Sequence, residues 1–128
     1  MNRPTDIKIF EGEIADYYFD DGILVSLSKN PKRTVENITA NIGLVKSITG
    51  NKKVPLLIYL CNSPIPNKET QKFSAQMLPE AYKAMAMISK PGLASFIIKL
   101  LFKFKPSPIP MKNFTDDIQA KNWLKQYL

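Results

Sequence analysis

Val54-Pro55-Leu56-Leu57-Ile58-Tyr59-Leu60 is an apolar run of strand length with no charge to interrupt it. A strand with one wet face alternates, whereas a run apolar throughout belongs to a strand covered on both faces, as central parallel strands are. Pro55 has no backbone N–H, so it belongs at the opening of the strand, where the ladder needs no donor.

Working outward, Val35, Ile38, Ile42 and Val45 recur at helical spacing with Leu44 and Ile48 beside them. Asn30 is placed to cap that helix with Pro31 in its first turn, and Gly50 to end it in a left-handed conformation. Before it, Gly12 to Phe19 alternates loosely and carries Tyr17, Tyr18 and Phe19, as a half-buried strand does. Asp20-Asp21-Gly22 supplies turn chemistry, and Ile23-Leu24-Val25-Ser26-Leu27 follows as the second arm of an antiparallel hairpin. Strand, helix and strand from Ile23 to Leu60 then form a βαβ unit.

Beyond the central run, Asn67 to about Leu78 reads as a helix that Pro79 breaks, and Tyr82 to Ile88 as a strand, although its alanines and methionines favour helix. Pro91-Gly92 restarts the chain, and Leu93 to about Phe104 is a strongly apolar helix. Pro106, Pro108 and Pro110 stiffen the connection to a last strand, Ile109 to Phe114. Thr115 caps the closing helix, with Asp116 and Asp117 in its first turn complementing the dipole. Ala120, Trp123, Leu124 and Tyr127 share one face of it, and Lys121 and Lys125 the other. The expected architecture is α/β in the order β-β-α-β-α-β-α-β-α, a mixed, mostly parallel sheet of about five strands with about four helices. Residues 1–128 read as a single domain, with 1–11 as a loose N-terminal extension.

The element order and the closing segment Pro110-Met111-Lys112-Asn113-Phe114-Thr115-Asp116, followed by Ala120-Lys121-Asn122-Trp123-Leu124, resemble SpoIIAA-like proteins of the STAS/SEC14 kind. The resemblance implies a small regulatory or binding domain. In the anti-sigma-factor antagonists of that class a phosphorylatable serine lies in an Asp-Ser-Ser-Gly stretch, at a helix start after a central strand. The corresponding stretch here is Leu60-Cys61-Asn62-Ser63-Pro64-Ile65-Pro66-Asn67, in which only Ser63 matches. The aspartate, the second serine and the glycine have no counterpart, so the residues favour an ordinary turn at Ser63.

Composition narrows the chemistry. The 128 residues include no histidine and one cysteine, which removes the commonest general base, any internal disulfide and any multi-cysteine zinc site. No triad, Gly-x-Gly-x-x-Gly or Walker A pattern occurs, and Cys61 reads as a small packed side chain. No catalytic residue, metal ligand or cofactor is therefore expected. Met1 to Phe10 holds Arg3, Asp6 and Lys8 instead of an apolar leader, and no stretch of about 18 apolar residues occurs. A cytoplasmic location, extending to the inner face of a membrane, follows as the expectation.

The net charge of +7 is unevenly distributed. Residues 1–28 carry two basic and six acidic side chains, whereas no acid occurs between Glu80 and Asp116, a stretch holding Lys83, Lys90, Lys99, Lys103, Lys105 and Lys112. Such an excess favours an anionic partner. Arg3 and Arg33 are the only arginines, so nucleic acid, which is read with arginine forks, is disfavoured.

Two stretches are candidate sites. In 93–105, Leu93, Phe96, Ile97, Leu100 and Phe104 make one apolar stripe, while Ile98 and Phe102 lie off it. A neighbouring helix, a second subunit or a bilayer would cover that surplus, with Lys99, Lys103 and Lys105 meeting phosphates in the last case. Phe96, Ile98, Lys99, Phe102, Lys103 and Lys105 are thus the candidate interaction surface. Cys61, Asn62, Ser63 and Asn67 form a candidate ligand loop, because ligands of parallel sheets bind beyond the carboxyl ends of strands. The leading expectation is a non-enzymatic module acting through protein contacts, as a homodimer. The alternative is a peripheral lipid-binding protein using helix 93–105, and an enzyme of unknown type is the remote third.

Overall fold

A computed structural model describes residues 8–29, 31–60, 66–89, 92 and 108–128. Its elements are β1 (Phe10–Glu11), β2 (Ala15–Asp20), β3 (Ile23–Ser28), α1 (Val35–Thr49), β4 (Val54–Tyr59), α2 (Lys68–Ala81), β5 (Tyr82–Ile88), β6 (Met111–Phe114), α3 (Asp117–Leu124) and a closing 3-10 turn (Lys125–Tyr127). The strands form one six-stranded sheet in sequence order. β1–β2 and β2–β3 pair antiparallel, and β3–β4, β4–β5 and β5–β6 pair parallel. The expected mixed, mostly parallel α/β architecture is what the chain adopts, with β1 as an additional edge strand taken from residues first read as a loose extension. The apolar helix expected over 93–104 lies outside the described residues.

The hairpin is built as its residues dictate. Asp20 pairs with Ile23, so Asp21 and Gly22 form the two-residue loop, with φ of 50° and 84°. Two positive φ values give the turn whose twist matches that of the flanking strands, and Gly22 takes the second at no steric cost.

Several boundaries differ from the sequence reading. Helix α1 begins after Thr34 and not at Asn30-Pro31; Asn30 itself lies outside the described residues. Thr34 and Asn37 form a reciprocal capping box, Thr34 Oγ1 accepting from the Asn37 N–H and Asn37 Oδ1 from the Thr34 N–H. Arg33 holds the preceding loop out of helix by donating to the carbonyls of Lys29, Pro31 and Ile14. Strand β2 starts at Ala15 instead of Gly12. The Gly12 N–H turns to Asp16 Oδ1 at 3.3 Å, and its carbonyl accepts from Lys29 Nζ at 2.7 Å.

Pro79 does not break α2, which continues to Ala81. A proline in the last turn costs a single backbone bond, and the Tyr82 N–H still closes the end on the Leu78 carbonyl. The last strand begins at Met111; Ile109 is buried beside it, and the Pro110 carbonyl accepts from the Met85 N–H. Asp116, not Thr115, caps α3, because its carboxylate reaches the Ile118 N–H at 2.9 Å.

The sheet separates two apolar clusters. On one face Leu24, Leu56, Met85 and Met87 pack with Ile38, Ile42 and Val45 of α1 and Leu78 and Ala81 of α2. On the other, Val25, Leu57, Ala84 and Ala86 pack with Ala120 and Leu124 of α3. Trp123 lies between Phe114 and Tyr127, at ring-centroid distances of 5.8 and 5.2 Å. Ala84, Ala86 and Ala120 are 0% exposed. That explains the helix-favouring alanines of β5: their small side chains leave room for a helix to approach the sheet closely.

Candidate functional site

The candidate surface residues Phe96, Ile98, Lys99, Phe102, Lys103 and Lys105, and the loop residues Cys61, Asn62 and Ser63, lie outside the described residues. Asn67 is described, and its side chain is committed to structure. It caps α2, with Oδ1 accepting from the Thr70 N–H at 2.8 Å, while Gln71 Nε2 donates to the Pro66 carbonyl at 2.7 Å. Helix α2 therefore begins firmly capped.

Sequence reading did not find the polar seam that fastens α3 to the sheet. Tyr59, at the end of β4, donates its hydroxyl to Asp117 Oδ2 at 3.1 Å. One helical turn on, Lys121 Nζ pairs with Asp20 Oδ2 at 2.6 Å, reaching the start of the hairpin turn. Tyr18 lies between these pairs and feels the charges of Lys121, Asp20 and Asp117. Burial, and then the Asp117 carboxylate that accepts its hydrogen bond, push the Tyr59 hydroxyl far above the ordinary tyrosine range. The hydrogen bond to Asp20 raises Lys121, against burial. Tyr59 thus stays a neutral donor and Lys121 a cation, an arrangement that anchors and does not supply a nucleophile. The available signal was the i, i+4 spacing of Asp117 and Lys121, beside the buried stripe of Ala120 and Leu124.

A second network lies under α1. The Tyr17 hydroxyl donates to Asn41 Oδ1 at 2.8 Å, with the Tyr82 and Ser26 hydroxyls beside it. Burial raises both tyrosines, Tyr82 the more. At the carboxyl end of β3, Lys29 pairs with Asp16 at 2.8 Å, where Asp16 is 6% exposed. This pair and Arg33 together pin the Gly12–Ala15 and Lys29–Arg33 segments to each other.

Among the described residues, no buried side-chain nitrogen or oxygen lacks a hydrogen-bond partner. Nor do three histidine, cysteine or acidic side chains gather there as metal ligands would. No described helix is long and apolar enough to cross a membrane.

Comparison with curated proteins finds no match. Among solved structures, the chain is similar to an uncharacterized protein of the DUF3478 family with a SpoIIAA-like fold, from Shewanella loihica PV-4. The likeness spans 97% of this chain and 98% of that one at a TM-score of 0.55 and 19% identity. At that identity it establishes the fold, which agrees with the SpoIIAA-like resemblance of the closing segment. A family model covers residues 17–128, from the middle of β2 through the seam to the last residue. By that match the chain belongs to the family described as a domain of unknown function, DUF7793.

Proposed function

We propose that this chain is a non-enzymatic, STAS-like binding or regulatory module that works through protein–protein contacts, as a homodimer. The observation that carries this reading is that, among the described residues, the buried and half-buried polar groups satisfy one another on a SpoIIAA-like fold. Tyr59 and Asp117, Lys121 and Asp20, Tyr17 and Asn41, and Lys29 and Asp16 each satisfy one another. Groups consumed in this way hold elements in place and leave surfaces to meet a partner. Size-exclusion chromatography with light scattering tests the self-association. A species of twice the 14.5 kDa chain mass is expected. A strict monomer across the concentration range would remove the homodimer.

A second reading, a peripheral lipid-binding protein, is favoured by one specific observation. Residues 81–115 contain no acidic side chain and six lysines. A stretch of one sign is attracted to anionic headgroups without requiring a shaped pocket. Co-sedimentation with anionic and neutral vesicles tests it, with Lys99→Glu combined with Lys103→Glu as the variant. Binding to anionic vesicles that the variant leaves unchanged would detach the attraction from residues 93–105.

A further inference from the structure

Lys52 and Lys53, adjacent in the sequence, meet the distant Lys83 and Lys125 at one rim of the sheet. Val54 pairs with Tyr82 and Pro55 with Ala84, so Lys83 falls in a β-bulge without a partner opposite and stands exposed. Lys52 and Lys53, both exposed, immediately precede β4 at the same end. The closing 3-10 turn packs on β4 and begins with exposed Lys125. Among the described residues, none of the four ammonium groups has a hydrogen bond or ion pair. Exposed acids near this rim are Asp21 and Glu80, and the α-carboxylate of Leu128 is a third negative group, so the four lysines outnumber them by one.

The same rim carries an exposed large apolar side chain. Leu128 is 59% exposed, and its Cδ2 lies 3.0 Å from where a Cβ on Gly22 would stand, which places it beside the hairpin turn. Exposed lysines that share a rim with one large apolar side chain do not make a typical protein interface, whose centre is apolar and aromatic and from which lysine is depleted. Arg33, the arginine among the described residues, is spent on backbone carbonyls at the opposite rim. A headgroup layer suits the arrangement, because lysine is attracted to it as a point charge while still hydrated and an exposed leucine can enter the acyl boundary.

We infer that the amino rim of β4 and β5, along which Lys52, Lys53, Lys83, Lys125 and Leu128 are exposed, is a docking face for an anionic bilayer. The inference rests on the lipid-binding reading and locates its contact surface away from 93–105. The test is co-sedimentation of the full chain with phosphatidylcholine vesicles, with and without phosphatidylserine, at low and physiological salt. Wild type should partition to the anionic vesicles and be released by salt. Lys52→Gln/Lys53→Gln/Lys83→Gln, whose side chains are exposed and support no described contact, should lower partitioning by roughly 100-fold at about 1 kcal/mol per lysine. Partitioning unchanged in this variant but lost in Lys99→Gln/Lys103→Gln would overturn the rim while sparing the lipid-binding reading. No partitioning by wild type would overturn both. Tighter binding to duplex DNA than to anionic vesicles at equal salt would overturn the choice of a bilayer.

Discussion

The hydroxyl of Tyr59 and the carboxylate of Asp117 meet at 3.1 Å although 58 positions separate them in sequence. The bond joins the end of a central strand to the first turn of α3. With the Asp20–Lys121 pair one turn further on, it fixes the helix along its length and sets its rotation, so that Ala120 and Leu124 face the sheet.

Tyr59→Phe removes this bond while keeping the ring. A loss of about 1 kcal/mol in unfolding free energy is expected, with Asp117→Asn costing a similar amount. A double-mutant cycle measured by urea denaturation should show coupling between the two residues, and strict additivity would contradict the bond. For the partly exposed Asp20–Lys121 pair the coupling should be at most about 1 kcal/mol and shrink with added salt.

Tyr17, Tyr18, Tyr59 and Tyr82 are all held above the ordinary tyrosine value of 10.0, in each case chiefly by burial. A raised folded-state value means that the unfolded chain gives up the proton first. Their contribution is therefore fully present below pH 10 and lost as pH rises from there toward the folded-state values. Denaturation midpoints should fall steeply above pH 10, and tyrosinate absorbance should rise together with the loss of near-ultraviolet circular dichroism. Ionisation of all four in a chain still folded would refute this.

Two glycines should respond with opposite sign to the same substitution. A Cβ on Gly12 would stand 2.7 Å from the Ala15 carbonyl oxygen and 2.8 Å from Leu44 Cδ2. Gly12→Ala should therefore destabilise by about 1–3 kcal/mol. Gly43, exposed within α1, has nothing within 4 Å of that position. Gly43→Ala should stabilise by about 0.5–1 kcal/mol through helix propensity. Thermal denaturation of the two variants gives both signs directly.

Ala86 is 0% exposed between the sheet and α3. Ala86→Leu should destabilise by about 1–3 kcal/mol or lift the helix, since the added methylenes have no space to enter. The chain's single tryptophan, Trp123, lies on α3 and reports the displacement as a shift in its fluorescence emission. An unchanged spectrum together with unchanged stability would show that the alanines are not what sets the helix–sheet distance.

Much of the fold was legible because its signals are local. The apolar run of β4, the Asp21-Gly22 turn, the Gly50 cap and the Ala120–Leu124 stripe each follow from a few adjacent side chains and the backbone conformations they permit. Helix starts were less legible. The sequence reading placed the caps at Asn30 and Thr115, but Thr34 and Asp116 are residue types that cap equally well, and the choice falls to the loop geometry that Arg33 fixes and to the reach of the Asp116 carboxylate. Pro79 misled because its cost depends on how near the helix end lies, and the following strand decides that.

The sequence by itself determined the class of architecture, the hairpin, the order of the main elements and the charge imbalance, since periodicity, turn chemistry and composition are properties of neighbours along the chain. Only the tertiary structure decided which polar groups meet, as with Tyr59 and Asp117, and which lysines share a rim, as with Lys53 and Lys83. Those pairings depend on strand register and on a bulge of one residue, and register is set by packing across the whole sheet.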